Sequence, residues 1–302
     1  MEELHGHHAI WRFDEETVRI GFGTGRKVPA LFRALGHCAV PLSAVRDVEF
    51  TPGDRKHGWR LRIRLVDGAD PYAPLETAGA SGASSPLVLT GPHERELVAE
   101  YCADRITESS RYARETLTAP LDPAQVAKAL VVGLPYQART GEGSATFDGE
   151  RVRLVWDGWM ASTAKGQEKS REFPVSEIES LRWYPQRDFD EGFLRVVLRG
   201  VTMPEASGLE NDFFTLASHG LKGSEESLLM AATVNTHIAL AAGETEDEAD
   251  DGVPALEPAP PARDEASDEI FAKIRELGRL HAEGLLTDSE FSGKKAELLD
   301  RI

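Results

Sequence analysis

The feature that most constrains this chain is that it contains one pattern twice. Phe13-Asp-Glu-Glu-Thr-Val-Arg-Ile20 returns as Phe147-Asp-Gly-Glu-Arg-Val-Arg-Leu154. Val40-Pro-Leu-Ser-Ala-Val-Arg-Asp-Val-Glu-Phe50 returns as Phe173-Pro-Val-Ser-Glu-Ile-Glu-Ser-Leu-Arg-Trp183, and Leu61-Arg-Ile-Arg-Leu65 returns as Leu194-Arg-Val-Val-Leu198. Three blocks in the same order, at spacings that agree to within one residue, mean one structural unit used twice. At 302 residues the chain has room for two such units and tails.

Each repeat has the two-residue beat of strands. Trp11, Phe13, Val18 and Ile20 are apolar around an Asp14-Glu15 turn, as a hairpin requires. Trp59, Leu61, Ile63 and Leu65 alternate with Arg60, Arg62 and Arg64, which gives one buried face and one basic face. Pro41 and Pro174 are expected at strand starts, where a missing N–H is tolerated. A helix then closes each repeat. The first starts near Pro92, with Leu97, Val98, Tyr101, Cys102 and Ile106 at helical spacing. The second starts near Ser224, with Leu228, Ala231, Ala232, Asn235 and Ile238 along one side. The fold class is therefore α+β: two tandem domains, each a partly open β-barrel or sandwich closed by a C-terminal helix.

Composition shifts set the boundaries. Residues 1–118 form the first repeat and 135–243 the second, with 119–134 as a connector in which Asp122-Pro123 can start a helix. Asp67–Pro86, rich in Ala, Gly and Ser, is expected to be a flexible surface loop. Residues 244–266 are acidic and Pro-rich, so a disordered, self-repelling spacer is expected there. Residues 267–302 have the pattern of an α-helical hairpin.

The net charge of −17 is concentrated in the tail, because residues 244–269 hold 11 acids and one arginine while residues 1–118 hold 17 acids and 15 bases. Nucleic acid is a poor partner for such a chain, since counterion release needs basic patches. No apolar run is long enough for a transmembrane helix, and the polar N-terminus lacks a signal-peptide pattern. Two isolated cysteines, Cys38 and Cys102, have no CxxC spacing. A cytoplasmic location is expected.

No motif for chemistry is complete. Gly21-Phe-Gly-Thr-Gly25 starts like a phosphate loop, but no GK[ST] follows, so it is read as a strand connection. Gly141-Glu-Gly-Ser144 fails the dinucleotide pattern for the same reason. His5, His7 and His8 have metal-ligating side chains, yet a solvated N-terminal tail accounts for them. His37-Cys38 is read as a packing pair, and neither HExxH nor GxSxG occurs. No cofactor, metal or enzymatic activity is expected. The best site candidate is basic: Arg26, Lys27 and Arg33 in the first repeat, Lys165, Lys169 and Arg171 in the matching stretch of the second, and the stripe of Arg60, Arg62 and Arg64. These cations would take an anionic headgroup or a protein partner.

In the hairpin, Ser267 can cap a first helix with Ile270, Ile274, Leu277 and Leu280 on or beside one face. Gly284 ends it, Leu285 and Leu286 follow, and Thr287-Asp-Ser-Glu290 is a capping box opening a second helix with Phe291, Leu298 and Leu299. So short a segment buries too little surface to be stable alone. Its apolar face is expected to support oligomerisation or docking.

Leu277-Gly-Arg-Leu-His-Ala-Glu-Gly-Leu-Leu-Thr-Asp-Ser-Glu-Phe-Ser-Gly-Lys294 resembles the short C-terminal domain known as SHOCT. The FDxExVR, Pro-x-Ser-x-Val/Ile and LRxxL blocks resemble an uncharacterised actinobacterial family, domain of unknown function 4429. The resemblance implies tandem pleckstrin-homology-like folds that bind peptides, lipid headgroups or neighbouring proteins, and a hairpin that oligomerises or docks. It supplies no catalytic residue. A non-enzymatic interaction scaffold is therefore expected, with a peripheral binder of anionic lipid headgroups as the alternative.

Overall fold

The structure, a computed structural model, describes residues 2–54, 57–75, 85–186, 191–201, 208–218 and 220–250. The chain divides into two compact units, Met1–Glu248 and Ala249–Ile302, and both repeats belong to the first.

The first repeat runs β1 (Glu2–His5), β2 (Ala9–Phe13), β3 (Thr17–Phe22), α1 (Ala30–Leu35), β4 (His37–Pro41), β5 (Val45–Thr51), β6 (Trp59–Leu65), β7 (Val88–Gly91) and α2 (Glu96–Glu115). A connector helix, α3 (Pro123–Lys128), follows. The second repeat runs β8 (Tyr136–Arg139), β9 (Ser144–Phe147), β10 (Arg151–Val155), α4 (Thr163–Glu168), β11 (Ser170–Pro174), β12 (Ile178–Tyr184), β13 (Gly192–Leu198), β14 (Thr215–Ser218) and α5 (Gly220–Asp250). Each half holds a four-stranded sheet, β1-β2-β3-β4 or β11-β10-β9-β8, and a three-stranded one, β5-β6-β7 or β12-β13-β14. The strand pairs are antiparallel throughout.

The repeated Phe-Asp-x-Glu block is a hairpin turn closed by its aspartate. Asp14 Oδ1 accepts from the amides of Glu16 (3.0 Å) and Thr17 (2.9 Å), and Asp148 Oδ1 accepts from those of Glu150 and Arg151 (both 2.9 Å). These are Asx turns, in which a short acid mimics a backbone carbonyl. The Arg19 guanidinium, helped by the two amides, holds the Asp14 carboxyl down at about 2. Backbone amides, that of Arg151 first, lower Asp148 as well.

The β6 alternation is as the pattern requires: Trp59, Leu61, Ile63 and Leu65 are buried, while the arginines between them are half-buried or exposed. Pro41 and Pro174 close β4 and β11 instead of opening strands. Both strands are sheet edges, where a missing N–H leaves no partner unpaired. The expected surface loop after Asp67 is partly core, because Ala69, Tyr72 and Leu75 are buried and the Tyr72 hydroxyl donates to Leu130 O at 2.7 Å. That bond ties the first repeat to the connector, where Asp122 caps α3 through the Ala124 amide at 2.8 Å. Helix α5 continues through 244–250, into the stretch expected to be disordered spacer. Glu and Ala in that stretch are good helix formers, and extending a helix whose packed part is already nucleated is easier than starting one. The remainder of that spacer and the whole 267–302 hairpin lie outside the described residues.

Candidate functional site

The basic residues do not converge on one site. Arg26 and Lys27 stand exposed in the turn that joins β3 to α1, and Arg33 is exposed on α1. The glycines Gly21 to Gly25 form that same connection, with the Gly23 amide bonded to His8 O at 2.9 Å. Arg64 pairs with Glu49 at 2.5 Å, diagonally across the β5–β6 pair, so part of the arginine stripe is neutralised within the sheet. Arg171 pairs with Glu168 at 3.6 Å and lies over the rings of Phe213 and Phe214 at 5.4 and 5.3 Å. Lys169 is exposed in a left-handed conformation at φ 69°. The three N-terminal histidines belong to the β1–β2 hairpin and not to a tail: His5 lies on β1 and pairs with Glu3 at 2.6 Å. Register with β2 organises that segment.

Lys165 is not a surface cation. Its side chain is 0% exposed, and Nζ donates to Glu142 Oε1 (2.9 Å) and Oε2 (3.1 Å) and to Thr215 O (3.2 Å) and Oγ1 (3.3 Å). Glu142 Oε2 also accepts the Ala217 amide at 2.6 Å. The indole of Trp156 lies 5.8 Å from Nζ and donates to Thr215 O at 3.1 Å. The ammonium has four acceptors within reach and both carboxylate oxygens accept at least one hydrogen bond, the kind of pairing a buried ion pair needs to offset its desolvation. The loop carrying Glu142 is Gly141-Glu-Gly143, read from sequence only as a failed nucleotide motif. A Cβ on Gly143 would stand 1.9 Å from Val155 O, so glycine there lets the loop press onto β10.

Two further places carry polar or apolar groups open to a ligand. A cleft of about 350 Å³ lies between the first repeat, the connector and α5, lined among others by Arg46, Arg62, Arg64, Asp67, Asp70 and Asn235. Its charges are partly balanced internally, since Arg46 pairs with Asp67 at 2.6 Å. The other place is the outer face of α2. Cys102 and Ile106 point inward, but Leu97 is 80% exposed and Tyr101 56%, with Val98 and Tyr112 exposed beside them. The sequence pattern sets Leu97, Val98, Tyr101, Cys102 and Ile106 together at helical spacing; in the fold they divide over two faces. Cys38 and Cys102 are buried free thiols. Burial pushes Cys38 up to about 12, and burial with the nearby Glu2 charge pushes Cys102 up to about 11, so both stay protonated. Among the described residues, no three or more His, Cys, Asp or Glu side chains are grouped to hold a metal ion. No described helix is long and apolar enough to cross a membrane.

Two halves of seven antiparallel strands, each closed by a helix, define a tandem-repeat α+β protein. The family described as domain of unknown function (DUF4429) matches residues 11–107 and again 145–235, and the chain belongs to that family. No curated protein matches the sequence.

Proposed function

We propose that the chain is a non-enzymatic interaction scaffold, built from two fused pleckstrin-homology-like units and a tethered SHOCT-like hairpin. The order of four strands, three strands and a C-terminal helix in each half supports the pleckstrin-like reading. The observation that carries the function is the outer face of α2, where Leu97, Val98 and Tyr101 present apolar area to solvent. Clustered exposed apolar side chains mark association surfaces on folded proteins. The two buried, unpaired thiols suit a reducing compartment such as the cytoplasm. The hairpin residues Ile270, Ile274, Leu277, Leu280, Leu285, Leu286, Phe291, Leu298 and Leu299 supply the second docking element in this reading.

The test is the solution mass of the full chain by light scattering, against a variant carrying Phe291→Asp and Leu298→Asp. A mass above one chain that falls in this variant assigns assembly to the hairpin. If the full chain stays a monomer and captures no protein through either the hairpin or α2, the scaffold reading is lost. A second reading, a binder of anionic lipid headgroups, loses Lys165, which is engaged in the core, and rests on the exposed Arg26, Lys27, Arg33 and Lys169. Its test is flotation with phosphatidylserine vesicles, which R26E/K27E should abolish.

A further inference from the structure

The two closing helices occupy equivalent places, yet only one has its outer face covered. On the sheet side, Ala99, Cys102, Ala103 and Ile106 of α2 correspond to Ser227, Met230, Ala231 and Val234 of α5, and all eight are buried. The opposite seam of α5 is formed by Glu225, Leu229, Ala232 and Thr236, one above another at helical spacing. Its counterpart on α2 is Leu97, Tyr101, Asp104 and Glu108.

On α5 this seam is closed by the first repeat. Glu225 Oε2 accepts the Ala30 amide of α1 at 2.5 Å. At the other end Thr236 shares the inter-repeat cleft with Arg62 and Leu65 of β6 and with Gly68 beyond that strand. Between those two ends Leu229 and Ala232 have no exposure left. One repeat therefore receives the outer seam of its neighbour's closing helix, on a surface made by the α1 start and the end of β6.

That contact is heterologous, so each half of it is left unused at an end of the chain. The α2 seam, with Leu97 and Tyr101, is the unused helix. The unused receiving surface is the α4 start and the end of β13 in the second repeat. There Trp159, four residues ahead of Thr163, is 88% exposed, and Val201, three residues beyond Leu198 as Gly68 is beyond Leu65, is exposed too. The two most exposed large apolar side chains described, Trp159 and Leu97, thus fall one on each of the two surfaces that the internal contact leaves open.

We infer that a second copy of this chain docks head to tail, with the α2 seam of one copy on the Trp159–Val201 end of the next. This rests on the scaffold reading above and names one of its partners. A heterologous contact of this kind builds a ring if its rotation closes and a filament if it does not.

The experiment uses the full chain and two variants, Leu97→Ser/Tyr101→Glu and Trp159→Glu, followed by sedimentation velocity across a concentration series. All changed positions are exposed, so both variants should keep the wild-type circular dichroism and melting temperature; Val201→Lys replaces Trp159→Glu if that variant does not. Wild type should grow in mass with concentration. Each variant alone should associate at least about thirtyfold more weakly, as loss of an aromatic anchor implies. Mixed in equal amounts, the two should form a one-to-one dimer, because each retains the half that the other lacks. Three results overturn the inference: a monomeric wild type, a Trp159→Glu chain that still dimerises through α2, or a mixture that stays monomeric. Association lost only in the Phe291→Asp/Leu298→Asp chain also overturns it, while leaving the hairpin scaffold intact.

Discussion

The two repeats share a backbone and fill it with different chemistry. Phe22 and Phe32 stack in the first repeat with ring centres 4.7 Å apart and planes 12° apart. At the same two places the second repeat has Trp156 and Lys165, with the ammonium 5.8 Å from the indole and an ion pair to Glu142. Both arrangements seal the space between the short helix and the four-stranded sheet. The first relies on apolar burial and needs no partner. The second needs every hydrogen bond in place, because an unpaired charge there is costly. A similar exchange occurs across the three-stranded sheets. Trp59 opposes Gly91 in the first, and Gly192 opposes Ser218 in the second. A Cβ on Gly91 would meet the Trp59 ring at 2.2 Å, so the tryptophan requires the glycine.

The sharpest way to break this comparison is to remove one ion of the buried pair. Lys165→Ala or Glu142→Ala should each lower unfolding stability by about 3–5 kcal/mol in urea titrations. Lys165→Met combined with Glu142→Leu should lose much less than the two single losses together. Near-additive losses would mean that the pair is not a unit. Phe32→Ala in the first repeat should also cost about 3–5 kcal/mol, with no rescue of this kind.

The contact between the repeats is next. Glu225→Ala removes a carboxylate acceptor from the Ala30 amide, so a loss of about 1.5–3 kcal/mol is expected. Faster hydrogen exchange at the Ala30 amide should accompany it; an unchanged rate would show that the carboxylate does not hold the interface. The helix ends give a smaller effect of opposite sign in the two halves. Gly36 (φ 65°) ends α1 and Lys169 (φ 69°) ends α4 in nearly the same backbone conformation. Lys169→Gly should therefore stabilise by about 0.5–1 kcal/mol, while Gly36→Ala should destabilise by about 1–3 kcal/mol. Melting temperatures decide the signs.

The smallest difference is in acid. The Asp14 carboxyl sits at about 2 against an ordinary 3.8, so its stabilising effect is present above pH 3.8 and is lost as pH falls toward 2. Asp14→Asn keeps an oxygen for the Asx turn but drops the Arg19 partner. It should flatten the acid limb over that range by less than about 1 kcal/mol, because the pair is open to solvent. Stability curves at pH 2 to 5 for both chains make the measurement.

The repeat, the strands and the closing helices were legible from residue order. Their signals are local: alternation in Trp59–Leu65, the Asx-turn aspartates, and a capped helix at Asp122. Glu142 was not legible as a core residue, since an acid between two glycines reads as a loop. The one signal available was the alignment that sets Lys165 against Phe32, a cation where the other copy keeps an aromatic.

By itself, then, the sequence determined that the chain is a duplicated α+β unit, because side-chain periodicity and turn chemistry act within a few residues. Only the tertiary structure decided that Lys165 is a core residue, that Tyr72 leaves a polar loop to anchor the connector, and that the α5 seam is covered while the α2 seam is open. Burial and charge pairing arise from groups distant along the chain: 23 residues separate Lys165 from Glu142, and 195 separate Ala30 from Glu225. No local pattern encodes such distances.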